Sequence, residues 1–161
     1  MATFVTLLKE KRLIPVILQL RSGQFPERKI YAFPECVEWM RNEVPKMVTG
    51  RIGSHFTPRE QLVERVRQWI AGEPMQYGPW FHDMDPSTDG VWEFKTADLR
   101  IFGWMYLPRQ FIAVRGGYTD DYKEPTKTKI YADDRREVVK ARNALPLDGN
   151  KFVKGSFGGL V

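Results

Sequence analysis

Residues 91–115 constrain the fold more than any other stretch. Three runs of strand-forming residues, 91–95, 99–107 and 110–115, follow one another with almost nothing between them. Each is rich in the aromatic and β-branched side chains that suit a pleated, half-buried surface. Pro108 and Arg109 leave room only for a tight turn between the second run and the third. Strands this close in sequence read as an antiparallel meander. Five Trp, six Tyr and ten Phe, within a chain that is 42% apolar, supply enough bulk for a real core beneath it.

Upstream the pattern changes period. Residues 14–20 are β-branched and mostly apolar and read as a buried strand, with a turn at Ser22 and Gly23 and a short second strand over 29–33. Val37, Met40 and Val44 form one apolar stripe of a helix over 34–44, which Pro45 ends. Thr57, Pro58 and Glu60 make a capping box with proline at the first helical position. Leu62, Val63, Val66, Trp69 and Ile70 are its apolar face, and Gly72 and Pro74 stop it. Residues 73–90 read as a loop pinned by Trp80 and Phe81. Gly116 and Gly117 are expected to end the third strand of the meander. A polar loop then leads to a final helix over 128–144. The fold class predicted is α+β: a small antiparallel sheet, made of an N-terminal strand plus the three-stranded meander, with two helices packed on it and a C-terminal helix. One domain spans 1–145 behind a short lead-in. The Gly-rich tail 146–161 is flexible unless Phe152 and Phe157 dock.

Several function classes drop out. A single cysteine, Cys36, excludes an internal disulfide framework and a cysteine-only zinc cage, and two histidines make a multi-histidine metal enzyme a poor fit. Asp83, Asp85, Ser87 and Asp89 alternate as in a calcium loop, but Thr88 and Phe94 stand where glycine and glutamate are required. No phosphate-cradling or dinucleotide glycine pattern is present. No metal and no cofactor is expected. Lys9, Glu10, Lys11 and Arg12 break the N-terminal apolar residues, and the longest uncharged apolar run, 13–20, is too short to cross a bilayer. A cytoplasmic protein with no membrane partner is the expectation. The net charge of +5 is modest, but residues 99–118 hold Arg100, Arg109 and Arg115 and no acid. The final helix and its approach add Lys127, Lys129, Arg135 and Arg136.

The run from Val91 to Tyr106, with its hydrophobic–Glu–hydrophobic–basic strand and its Arg–hydrophobic–aromatic strand, resembles the strand pair of RelE/HigB-like toxins, in particular their phage-derived branch. Gly117–Tyr118, a polar loop, Pro125 and a closing helix extend the resemblance to residues 91–143. It implies a ribosome-dependent, metal-independent messenger-RNA endonuclease, the toxin of a toxin–antitoxin system of phage or prophage origin. Its partners would be messenger RNA, the ribosome and an antitoxin protein. The RNA 2′-hydroxyl attacks the adjacent phosphate, which calls for a base, a cation and an acid. By the resemblance, Arg100 and Lys95 would hold phosphate, and Tyr118 or Tyr122 with Lys123 would serve proton transfer. Arg109, Arg115, Lys127, Lys129 and Arg136 are the candidate RNA-binding residues.

Asp120 and Asp121 depart from the family pattern, which carries a basic pair there, and two carboxylates repel phosphate. That departure keeps a second reading open: a non-catalytic phage-type binding module on the same fold that inhibits a host nucleic-acid or defence complex. Each residue also has an ordinary reading. Arg100 would be an ion-paired strand residue, with Asp98 or Glu93 as partner. His82, on the loop just before Val91, is placed to reach the sheet as an acid or base, or simply packs there.

Overall fold

The computed structural model describes residues 1–161. Its centre is the expected meander. Strand β4 (Trp92–Lys95) pairs antiparallel with β5 (Leu99–Leu107), and β5 with β6 (Gln110–Tyr118). The α+β class holds. The sheet itself is larger than four strands and is mixed, in the order β1-β2-β6-β5-β4-β3. Strand β2 (Lys29–Ala32) lies parallel to β6, so the purely antiparallel expectation is corrected. The chain between them contains two helices and three strands, ample for such a crossover. Strand β3 (Phe81–Asp83) adds to the edge at β4, inside the stretch read from sequence as a loop.

The expected buried strand over 14–20 reduces to β1, Ile14–Pro15, on the opposite edge. Pro15 has no N–H to give a ladder, which confines it to an edge, and Ile17 is exposed. The third strand does not stop at its glycines. It runs on to Tyr118 because rings pack on both glycines: a Cβ on Gly116 would lie 2.2 Å from the Trp39 ring, and one on Gly117 2.4 Å from the Tyr122 hydroxyl. Only a residue without a side chain lets both rings come that close.

The lead-in forms helix α1 (Phe4–Lys9), capped by the Thr3 side chain. Helix α2 is shorter than expected, Pro34–Glu38, and passes into a wider turn over Trp39–Glu43 and a tighter one at Val44–Lys46 around Pro45. Helix α3 (Pro58–Ile70) carries the capping box as read: Thr57 and Glu60 bond each other's backbone N–H. Helix α4 starts three residues later than expected, at Tyr131, and ends at Ala144. A last turn, α5, spans Phe157–Leu160. None of these helices is long and apolar enough to cross a membrane.

The sheet separates two cores. On one face α2 and α3 bury Val37, Leu62, Val66, Trp69 and Ile70 against Phe94, Ile101 and Phe111. On the other, α1 and α4 bury Leu7 and Val138 against Phe102, Trp104 and Ile112. The tail docks on the sheet. Strand β4 covers β5 only as far as Gly103. Beyond it, Val153 N–H donates to the Met105 carbonyl at 2.9 Å, so the tail satisfies the edge that β4 leaves open.

Candidate functional site

Alternation along the meander decides which polar groups meet. In β4, Trp92 and Phe94 point into the α3 core, so Glu93 and Lys95 point to the face that α4 covers. Arg100 stands opposite Lys95 across the β4–β5 ladder, and His82 opposite Glu93 across the β3–β4 ladder. The start of α4 brings Tyr131 and Arg135 to the same place. Together with Tyr77 and Asp83 they line an open cleft of about 650 Å³.

At its floor lies a buried charged chain. The Glu93 carboxylate, 3% exposed, receives the Arg100 guanidinium at 3.1 Å on one oxygen and the His82 ring at 2.7 Å on the other. Arg100 also donates to the Thr96 and Leu99 carbonyls at 2.6 and 2.9 Å. His82 has its second ring nitrogen 2.7 Å from the Asp83 carbonyl. Both ring nitrogens therefore face acceptors, an arrangement that only the doubly protonated imidazolium satisfies. In keeping with this, the hydrogen bond to Glu93 raises the His82 pKa against the opposing effect of burial. Lys95 shifts the other way. Burial lowers its pKa, and the cations Arg100 and Lys123 add to that while Glu93 opposes it. Burial raises the Tyr131 hydroxyl. The site thus gathers a buried carboxylate between two cations and, beside them, an ammonium whose proton burial loosens.

The other sequence-level candidates fall elsewhere. Arg109 is in the β5–β6 turn at the far end of the sheet from Arg100, exposed and loosely near Glu27. Tyr118 points to the opposite face and donates to the Val48 carbonyl at 2.9 Å. Tyr122 is 4% exposed, stacked on Tyr131 at 4.6 Å, and its hydroxyl is pushed well up by burial and by Asp134. Arg115 is held by Asp134 at 2.7 Å. Lys129 lies over the Tyr122 ring and near Asp121, and Arg136 pairs with Asp133 on the outer side of α4. Lys123 and Lys127 are exposed on the loop. Of the ten, only Lys95 lines the cleft; Arg100 lies behind its wall, joined to it through Glu93, and Lys123 acts on Lys95 as a nearby cation.

Asp120 and Asp121 do not face the cleft. Asp120 accepts the Arg51 backbone N–H at 3.2 Å and pairs with its side chain, and the carbonyl of Asp121 closes the loop onto Thr128 and Lys129. Glu93, Tyr131 and Arg135 were missed as site residues. A signal for Glu93 was present: it shares a strand face with Lys95. Arg135 stood among the basic residues of the final helix without a link to this cleft, and nothing in the sequence announced Tyr131; α4 delivers both from more than thirty residues away. No group of His, Cys, Asp and Glu is arranged to hold a metal ion. Comparison with protein-family models, with curated proteins and with solved structures finds no match for this chain.

Proposed function

We propose that the chain is a metal-independent RNA endonuclease, a phage-type toxin in the manner of RelE and HigB that cuts messenger RNA on the ribosome. The observation that carries this reading is the Arg100–Glu93–His82 chain beside Lys95 at one open cleft. Glu93 takes the proton of the RNA 2′-hydroxyl. The 2′ oxygen forms its bond to phosphorus as the bond to the 5′ oxygen breaks, leaving a cyclic phosphate and a free 5′-hydroxyl. Lys95 neutralises the developing charge and gives its proton to the departing 5′ oxygen, a transfer its lowered pKa favours. Arg100 acts here on Glu93 rather than on phosphate. It fixes the carboxylate and balances its charge.

The test is induced expression of wild type beside Lys95→Ala, with growth followed and new messenger-RNA 5′ ends mapped. Lys95 is half-buried with no structural ion pair, so its removal should leave the fold intact. Growth arrest with fresh 5′ ends, both lost in the variant, is the expected result. Soluble wild-type protein that produces no new 5′ ends, in cells and on purified translating ribosomes, would overturn the reading.

One observation favours the second reading, a non-catalytic module that inhibits a host nucleic-acid or defence complex. Arg100 is 5% exposed and does not line the cleft; its guanidinium is turned to Glu93 and to the Thr96 and Leu99 carbonyls. Recovery of a defined host complex with wild-type protein, together with intact messages, would support that alternative.

A further inference from the structure

A larger cleft, about 790 Å³, opens on the α3 side of the sheet, apart from the one just described. One wall is α3, and the floor includes Thr96 and Ala97 of the β4–β5 turn. Arg65 projects from α3 into this region and lies flat on the Trp80 ring, its guanidinium carbon 3.7 Å from the ring centroid. It forms no ion pair, and its Nε and Nη1 groups are buried without an acceptor. Gln68, one turn behind, has a buried side-chain oxygen that is also unpartnered. Burial pushes the Arg65 pKa down to about 10, so the charge is held there at a cost. Enclosed N–H groups are ordinarily partnered, and two on this half-buried side chain are not.

The nearby acids do not answer it. Glu60 is engaged in the capping box, its carboxylate accepting from the Thr57 backbone N–H at 2.8 Å. Glu64 is taken by Arg67 and by Arg21 at 3.3 Å. Arg59, exposed on the same wall, has no carboxylate partner either. The cleft therefore presents two guanidinium groups that form no ion pair, one of them positioned by an indole, beside the engaged carboxylates of Glu60 and Glu64.

We propose that this cleft binds a phosphate group, with Arg65, stacked on Trp80, as its principal ligand and Arg59 as its second. A guanidinium offers phosphate a planar pair of donors, and stacking on an aromatic ring fixes the plane of that fork before the ligand arrives. The phosphate has two sources of the same chemistry, a free anion or the backbone of a nucleotide. The site stands whether or not the other cleft cuts RNA.

The experiment is an NMR titration of the full chain, following the Trp80 indole and Arg65 Nε signals. Inorganic phosphate, a nucleoside 5′-monophosphate and a short single-stranded RNA are added in separate series. Saturable shifts of these two signals are expected, with binding weakened about tenfold or more in Arg65→Gln. Arg59→Gln, at an exposed position that cannot disturb the core, should weaken it severalfold and decides the matter if Arg65→Gln proves unstable. Equal affinity for all three ligands would make the natural ligand a free anion, and tighter binding of the monophosphate or the RNA would make it a nucleotide backbone. No saturable shift with any of the three overturns the proposal. Shifts undiminished in the variants do so too.

Discussion

At the scale of single residues, the centre of the candidate site is an internal salt bridge that strand alternation builds. Arg100 and Glu93 are both almost fully enclosed and face each other at 3.1 Å. Removing one leaves the other uncompensated. Arg100→Ala should cost about 3–5 kcal/mol of stability, read as a drop in the urea midpoint, and loss of activity in it would say little about chemistry. His82 gives a gentler probe. Its pKa lies above the ordinary 6.5, so the stability it brings is complete below 6.5 and drains away as pH rises through the raised value. Thermal unfolding of the wild type should weaken across that window. His82→Gln should flatten the dependence; an unchanged pH profile in the variant would mean that the ring does not hold its second proton there.

At the scale of elements, strand β6 shows how a local signal is overruled. Two adjacent glycines ordinarily weaken a strand. Here they let Trp39 sit on one face and Tyr122 on the other, so the glycine pair fastens α2 and the polar loop to the same strand. Gly116→Ala should therefore destabilise by about 1–3 kcal/mol through overpacking. Gly158→Ala, a helical position where an added Cβ meets nothing, is the control and should not lower the unfolding midpoint.

At the scale of the whole molecule, the tail is part of the fold. Leu147 is buried in one core and Leu160 in the other, and Trp104 donates its indole N–H to the Lys151 carbonyl at 2.8 Å. Phe152 lies under the Arg142 guanidinium, and Phe157 meets Tyr77 at the rim of the candidate cleft. Truncation after Leu145 should cost about 3–6 kcal/mol for the two leucines alone and expose the open edge of β5. Denaturant unfolding of the shortened chain measures it; an unchanged midpoint would show that the tail contributes no packing. The tail braces the rim of the cleft and does not lie across its floor, so it is not a plug.

The sequence by itself determined the elements whose signals are local. The meander, the capped helix α3 and the α+β class follow from periodicity, turn residues and side-chain caps, which act over a few residues. Lys95 and Arg100 were named together only through the family resemblance; the hairpin then sets them opposite each other. Tertiary structure decided everything that depends on distant segments. It made β2 parallel to β6, because those partners lie far apart along the chain, and it paired β3 with nearby β4 within a stretch whose prolines and glycines read as a loop. For Arg100 it selected the ion-paired reading, with Glu93 and not Asp98 as partner, because strand alternation puts both side chains in one buried layer. It drew Asp120 and Asp121 away from the cleft, because Arg51 holds the Asp120 carboxylate and Lys129 lies near that of Asp121. It also left Arg65 without an acceptor, a property no spacing in the sequence encodes, since both available carboxylates are claimed by nearer donors.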